Sequence, residues 1–112
     1  MNIPAIQRAV SESIDARKAA LVNASDAIWD HPQVNFHEDY AADMLCSLLE
    51  QNGFALEKQL DDMPTAFRAT FGSGKPVIAF LGEYDALSAL IAIQQIIANS
   101  RRNGTSLHSP AE

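Results

Sequence analysis

The spacing of apolar residues along the chain predicts three helices. The first covers about residues 4–30 and ends where His31, which precedes Pro32, is pushed out of the α region. The second covers about residues 38–52 and the third residues 86–100, because apolar positions recur there at helical spacing. The three apolar stripes contain Ile6, Val10, Ile14, Leu21 and Ile28, then Ala41, Met44, Leu45, Leu48 and Leu49, and finally Leu87, Leu90, Ile91, Ile93, Ile96 and Ile97.

Between the second and third helices the pattern predicts strands. Residues 54–60 and 66–71 alternate between apolar and polar side chains, which is typical of strands with one wet face. Residues 77–82 begin with five consecutive apolar residues, which predicts a strand buried on both faces. A Gly- and Pro-containing turn at 72–76 connects 66–71 to 77–82, so we expect an antiparallel hairpin. The order of elements predicts a small α/β fold with at least three strands.

Composition narrows the class of protein. The 112 residues are enough for one domain, which we place at residues 1–102, followed by a polar, disordered tail at 103–112. A formal net charge of -6 argues against a nucleic-acid partner or an anionic membrane. A single cysteine, Cys46, excludes an internal disulfide and a four-cysteine zinc site. No signal peptide or membrane-spanning run is visible, which favours a cytoplasmic protein.

Candidate chemistry lies just after the apolar run 77–81. Glu83 and Asp85 follow its C-terminal end, where open α/β sheets bind ligands. The three histidines, His31, His37 and His108, are scattered, so we interpret them as solvated or hydrogen-bonded side chains rather than metal ligands. We interpret Cys46 as a small buried or half-buried side chain, not a reactive thiol, because no basic residue lies beside it. The Gly-Ser-Gly-Lys run at 72–75 joins two predicted strands and therefore does not predict a phosphate loop.

Three stretches together resemble a known family. They are Ala27-Ile28-Trp29-Asp30-His31-Pro32-Gln33-Val34-Asn35-Phe36-His37-Glu38-Asp39, the segment from Ala41-Ala42 to Gln51-Asn52-Gly53-Phe54, and Phe80-Leu81-Gly82-Glu83-Tyr84-Asp85-Ala86-Leu87. This order resembles the start of the zinc-dependent aminoacylase and carboxypeptidase-like metallohydrolases, within which it is most similar to the branch that includes the aminobenzoyl-glutamate hydrolases. The resemblance covers roughly residues 3–87.

The resemblance implies an N-terminal part of a metal-dependent amidohydrolase or peptidase. Its relatives have an α/β catalytic domain with a paired site for zinc or another divalent metal, and they hydrolyse amide bonds of N-acyl or aminobenzoyl amino acids. By resemblance, Asp85 is the aspartate that contacts the metal site or orients a ligand. Glu83 takes the place where many members have a metal ligand.

The chain departs from the family after Leu87. The family continues through Pro-Gly and a Cys-Gly-His segment, whereas this chain continues with Ser88-Ala89-Leu90. The later glutamate pair that supplies the general base and the distal histidine are also missing. A catalytic zinc needs about three protein ligands, so we expect this chain alone to bind zinc weakly or not at all and to be inactive.

Three hypotheses stay open from the sequence. The chain is an amino-terminal piece of a metallohydrolase, a non-catalytic α/β interaction module derived from that fold, or a small hydrolase whose metal site is completed by a symmetric neighbour. A three-stranded sheet leaves an unpaired edge, and the third helix is too apolar for one side of a thin sheet to cover. We therefore expect a homo-oligomer, a dimer at least, through residues 87–97 and a sheet edge.

Overall fold

Four α-helices and one two-stranded sheet make up the part of the chain that the computed structural model describes, residues 1–102. The side chains of residues 88–90, 92, 94 and 98 lie outside that description, as does the predicted polar tail at 103–112. The elements are α1 (Ile3–Ala16), α2 (Lys18–Asp30), α3 (Asp39–Gln51), β1 (Ala55–Lys58), a 3₁₀ turn (Leu60–Asp62), β2 (Phe67–Thr70) and α4 (Ser88–Arg102). The small α/β class predicted from the sequence is confirmed at this level.

The single helix predicted over residues 4–30 is two helices, which meet at Arg17. Arg17 has φ -104° and ψ 6°, outside the helical region, and its backbone N–H donates to the Ile14 carbonyl instead of the Ser13 carbonyl. The reason is local: the Arg17 guanidinium donates from Nη1 to the Ser13 carbonyl at 3.0 Å and to the Ser13 hydroxyl at 2.7 Å. A side chain that occupies a helical carbonyl interrupts the backbone ladder at that position.

Helix α3 ends as the sequence predicts. Gly53 has φ +89°, the left-handed conformation that a glycine adopts at little cost after a helix. The Asn52 side chain donates to the Leu48 carbonyl at 2.7 Å, which satisfies one of the last carbonyls of the helix. On its inner face α3 buries Ala41 and Cys46, each 2% exposed, and it packs against α2 and both strands.

The sheet pairs β1 with β2, and the predicted hairpin between residues 66–71 and 77–82 is wrong. The strands are antiparallel, with Ala55 opposite Thr70 and Lys58 opposite Phe67. A cross-strand ion pair joins Arg68 to Glu57 at 2.6 Å on the exposed face. The two half-buried strands predicted from alternation therefore pair with each other, because residues 59–66 bend the chain back through the 3₁₀ turn.

The third predicted strand is not formed among the described residues. Residues 77–81 have no regular secondary structure, and Val77 is 84% exposed and Phe80 is 96% exposed. The prediction of burial on both faces is wrong for a physical reason. A run of apolar residues is buried as a central strand only where strands lie on both sides of it, and no described strand pairs with this one.

The first two helices, α1 and α2, contain no buried residue. The α1 side chains Ile3, Ile6, Val10 and Ile14 are between 48% and 58% exposed. Helix α1 contacts α2, and α2 contacts α3 and α4. No helix within residues 1–102 is long and apolar enough to cross a membrane.

Candidate functional site

Three segments meet in a small buried polar cluster, which consists of Glu38, Thr65 and Tyr84. Glu38 and Thr65 are only 5% and 7% exposed. The Thr65 hydroxyl donates to Glu38 Oε2 at 2.5 Å, and the Phe36 N–H donates to Glu38 Oε1 at 3.0 Å. The Tyr84 hydroxyl donates to the Thr65 carbonyl. Each carboxylate oxygen of Glu38 thus has a donor, which burial of a carboxylate requires.

The positions of these groups follow from the local structure. Glu38 is the residue before α3, where its own carbonyl accepts from the Ala42 N–H at 2.9 Å. Its side chain does not cap the helix and instead turns toward the chain that leads into β2. Thr65 lies in the turn between the 3₁₀ turn and β2. The cluster therefore joins the start of α3 to the sheet and, through Tyr84, to the segment that carries the candidate carboxylates.

Tyr84 is anchored at both its ring and its hydroxyl. Its ring lies against that of Phe67 with a centroid distance of 6.1 Å. Burial raises the pKa of Tyr84 above its ordinary value, and the charge of Glu38 adds to this; the hydrogen bond to Thr65 opposes it. The hydroxyl is therefore a neutral donor throughout the physiological range.

Glu83 and Asp85 flank this anchor, and both are exposed. Asp85 lines a cavity of about 250 Å³ whose wall includes Trp29, His31 and Gln33. The Ala86 N–H donates to the Gln33 carbonyl at 2.7 Å, which ties the chain just beyond Asp85 to the loop before α3. The structure thus places Asp85 at the cavity rim between two fixed points, the Tyr84 hydroxyl and the Ala86 backbone, while Glu83 does not line the cavity.

His31, which lines the same cavity, is hydrogen-bonded. Its Nδ1 lies 2.8 Å from the Ala27 carbonyl, and its ring stacks on that of Tyr40 with a centroid distance of 3.9 Å. Because a carbonyl only accepts, the proton is on Nδ1. The prediction that His31 is hydrogen-bonded is confirmed. His37 is exposed, and His108 lies outside the described residues.

Within residues 1–102, the donors do not suit a catalytic zinc. No three His, Cys, Asp or Glu side chains of this part of the chain come close enough to hold one metal ion. A catalytic zinc takes about three protein ligands. Glu83 and Asp85 as metal-site residues therefore stay a prediction, and no metal-dependent step is assigned to this chain by itself.

Cys46 is a buried thiol of α3, as predicted. It is 2% exposed, and burial raises its pKa above the ordinary value, with Asp43 and Glu50 adding to the effect and Lys58 opposing it. A protonated, inaccessible thiol is a poor nucleophile.

Sequence reasoning missed the cluster itself. The predicted helix 38–52 begins at Glu38, and acidic residues are common in the first turn of a helix, so the sequence does not mark Glu38 as buried. No feature of the alternation pattern distinguishes Thr65. The contact joins residues 27 apart in the chain, and local periodicity carries no signal for such a pair. The one available sign was Tyr84, an aromatic residue with a polar end between two carboxylates.

Comparison with known proteins gives one informative match. The chain is 46% identical over 85 residues to one of the subunits of p-aminobenzoyl-glutamate hydrolase from Escherichia coli (strain K12). The matched part is 76% of this chain and 18% of that relative, so the chain corresponds to less than a fifth of the relative's length. No protein-family model and no solved structure matches the chain. The resemblance to the aminobenzoyl-glutamate hydrolase branch of the amidohydrolases is confirmed.

Proposed function

We propose that this chain supplies one part of an amidohydrolase catalytic domain that acts on aminobenzoyl-glutamate or a related N-acyl amino acid, and that it is inactive by itself. The observation that supports this most is the 46% identity to a hydrolase of that name over 85 residues. Identity of this extent goes with a shared backbone, so the matched residues of the two proteins have corresponding places in the fold. A cytoplasmic location stays a prediction.

In this proposal Asp85 is the residue nearest to the chemistry. Its place at the rim of the cavity, between the anchored Tyr84 and the Ala86–Gln33 hydrogen bond, is suited to a carboxylate that must point in one direction. Asp85 would contact or orient a metal ligand. Glu83 does not line this cavity, and the resemblance alone suggests it as a metal ligand. Zinc or another divalent metal would be held together with ligands from protein outside this chain, because residues 1–102 alone do not fit one.

The first half of the test uses the chain by itself. After dialysis against trace zinc, metal analysis should find far less than one zinc per chain. Hydrolysis of aminobenzoyl-glutamate should not exceed that of a Glu83→Ala, Asp85→Ala control. One tightly held zinc per chain, or a rate above the control, would favour an intact small hydrolase instead.

The second half asks whether the segment works in a complete enzyme. The matched 85 residues of this chain are exchanged into the Escherichia coli relative, and hydrolysis of aminobenzoyl-glutamate is measured. The chimera should be active, and Asp85→Asn in it should lower kcat/KM about 10–100-fold, the usual loss when a group that orients a metal ligand is removed. Asp61→Asn, an exposed residue of the 3₁₀ turn, is the matched control and should change nothing.

A folded but inactive chimera would contradict the proposal. It would favour the alternative, in which the chain is an α/β interaction module that kept the fold without the catalytic role. Circular dichroism of the chimera establishes that it is folded.

A further inference from the structure

The apolar segment 77–81 makes no contact that explains its composition. Val77, Ile78, Phe80 and Leu81 are 84%, 75%, 96% and 95% exposed. Within residues 1–102, no backbone N–H or carbonyl of residues 77–85 takes part in a backbone–backbone hydrogen bond. An added Cβ at Gly82 would have no neighbour within 4 Å. An uncharged, β-prone segment with unpaired backbone groups is suited to pairing with another strand.

The chain exposes more surface than a compact monomer of its mass, which leaves room for a partner to cover part of it. The chain exposes 9303 Å², about 3,200 Å² more than the roughly 6,100 Å² expected of a compact monomer of this mass. Obligate homodimers bury roughly 1,000–2,500 Å² on each partner. The excess is therefore large enough to accommodate an interface of that kind.

The charges that flank the segment indicate which partner fits. Lys75 lies four residues before Ala79, and Glu83 lies four residues after it, with no charge between them. In an antiparallel pair of identical strands centred on Ala79, Lys75 of each copy therefore faces Glu83 of the other. Sliding the strands so that the centre moves one residue later would place Lys75 opposite Asp85 and Glu83 opposite Val77, and it would extend the pairing across Tyr84. Tyr84 already contacts Thr65 through its hydroxyl and Phe67 through its ring. The alignment centred on Ala79 pairs Lys75 with a carboxylate and leaves the Tyr84 contacts in place.

We propose that two copies of this chain pair antiparallel through residues 75–83, about a two-fold axis at Ala79. Val77 then lies opposite Leu81 of the second copy, and Ile78 lies opposite Phe80. When the central Ala79 pair is a hydrogen-bonded one, the Val77–Leu81 pairs are hydrogen-bonded too, and roughly six N–H···O bonds form between the copies. Pro76 and Gly82 then fall at a non-hydrogen-bonded pair, where the missing N–H of proline costs nothing.

This pairing is independent of the proposed enzymatic role, since it uses no catalytic property of any residue. The interface predicted from the sequence, through residues 87–97 and a sheet edge, stays a prediction; the present proposal assigns the pairing to residues 75–83 and does not use residues 87–97. The two are distinguishable because only pairing through 75–83 brings Lys75 and Glu83 together.

A charge exchange tests the alignment. The full chain is purified as wild type, Lys75→Glu and Glu83→Lys, and the dimer Kd is measured by light scattering over a concentration series. Each single variant places like charges opposite each other at both ends of the paired strands, so its Kd should rise on the order of 10-fold. A mixture of the two variants restores opposite charges, and native mass spectrometry should show the heterodimer in excess over both homodimers. Lys58→Glu, a change of the same sign at an exposed residue of β1, is the matched control and should leave Kd within about twofold of wild type.

A cysteine at the proposed axis gives a second measurement. Under mild oxidation Ala79→Cys should form an intermolecular disulfide, because the two Cα atoms of a hydrogen-bonded pair lie about 5.5 Å apart, within disulfide range. Cys46 is buried and should not compete, and Ser73→Cys, also exposed but far from the axis, should stay reduced at the same concentration. A wild-type chain that is monomeric at 100 µM would overturn the proposal. So would a dimer whose single charge variants are unaffected and whose mixture shows no preference for the heterodimer.

Discussion

Glu38 is a buried carboxylate, 5% exposed, at the start of α3. Its two oxygens accept from the Thr65 hydroxyl and from the Phe36 N–H, and Thr65 accepts in turn from Tyr84. Removing one member of such a set leaves another buried group without a partner, which costs more than the bond itself contributes. Through the Tyr84 hydroxyl, the cluster fixes the position of the chain between Glu83 and Asp85.

Stability should fall when the pH is raised above about 9, because two groups of this region hold their protons longer in the folded chain. Burial raises the pKa of Cys46 from 9.0 and that of Tyr84 from 10.0. A raised folded-state pKa contributes stability that is fully present below the unfolded pKa and is lost as the pH rises through the folded pKa. Urea unfolding between pH 7 and pH 11, followed by the fluorescence of Trp29, measures this loss.

Tyr84→Phe measures what the Tyr84 hydroxyl contributes to stability, because it removes the hydroxyl and keeps the ring. At pH 7 it should cost about 0.5–1.5 kcal/mol for the lost hydrogen bond, and the loss of stability at high pH should become smaller. Tyr40→Phe is the matched control, because its hydroxyl makes no hydrogen bond within the described residues, and it should leave stability at pH 7 unchanged. Equal costs for the two variants would contradict the role given to Tyr84.

At the scale of the elements, the positions of α3 and α4 were predictable from the sequence, whereas the pairing of the strands was not. The predicted 38–52 and 86–100 correspond to α3 and α4 within about two residues, because helical periodicity is a local property. Strand pairing is not local: alternation identified the regions of β1 and β2, yet nothing in it says which strands are neighbours. The run 77–81 shows the same limit, since five apolar residues predict a buried strand only if the rest of the sheet is present.

The break between α1 and α2 was also beyond the reach of periodicity. The predicted stripe skips from Ile14 to Leu21 with the same seven-residue spacing as from Leu21 to Ile28, so the gap at residue 17 does not mark a break. The Arg17 side chain, which bonds to the backbone one turn earlier, is the cause. Neither arginine nor serine is a strong helix breaker.

The candidate site was predictable from the sequence only in part. Glu83 and Asp85 lie close together in the sequence, whereas Glu38 and Thr65 meet only in the folded chain.

Arg17→Ala should join α1 and α2 into one helix. The change frees the Ser13 carbonyl to accept the backbone N–H at position 17, and it introduces the best helix-forming residue. Backbone chemical shifts should then report dihedral angles near -63° and -42° at this position, in place of -104° and 6°. Arg8→Ala, inside α1, is the control and should leave the break intact. Persistence of the non-helical shifts in Arg17→Ala would show that the side chain is not the cause.

At the scale of the whole molecule, the described chain is open. Its radius of gyration is 18.0 Å, against about 13 Å for a compact domain of this length. The α1 stripe is half exposed, and Leu87, Ile93 and Ile96 of the region predicted as an interface are 66%, 52% and 60% exposed. Apolar surface of this extent stabilises a protein only when something covers it. Covering by a second copy and incorporation into a larger hydrolase are both consistent with the exposed faces.

Limited proteolysis should show which segment is accessible to a protease and whether self-association protects that segment. Chymotrypsin should cut the dilute chain first within residues 71–81, because Phe71, Phe80 and Leu81 are 68%, 96% and 95% exposed and this segment has no secondary structure. Phe54 and Phe67, which are half-buried in the sheet region, should be cut later. Mass spectrometry of the early fragments identifies the sites.

The rate of that first cut should fall as the protein concentration rises. A protease needs an extended, unpaired segment. When residues 75–83 of two copies pair, the segment is no longer accessible to the protease. Ala79→Pro deletes the N–H at the centre of the proposed pairing on both chains, so its cleavage within 71–81 should be independent of concentration. Ser73→Pro is the matched control, since it lies outside the paired residues and should keep the concentration dependence. If the same fraction of wild type were cut per unit time at 1 µM and 100 µM, with the enzyme concentration held constant, residues 75–83 would not be the surface that joins the copies.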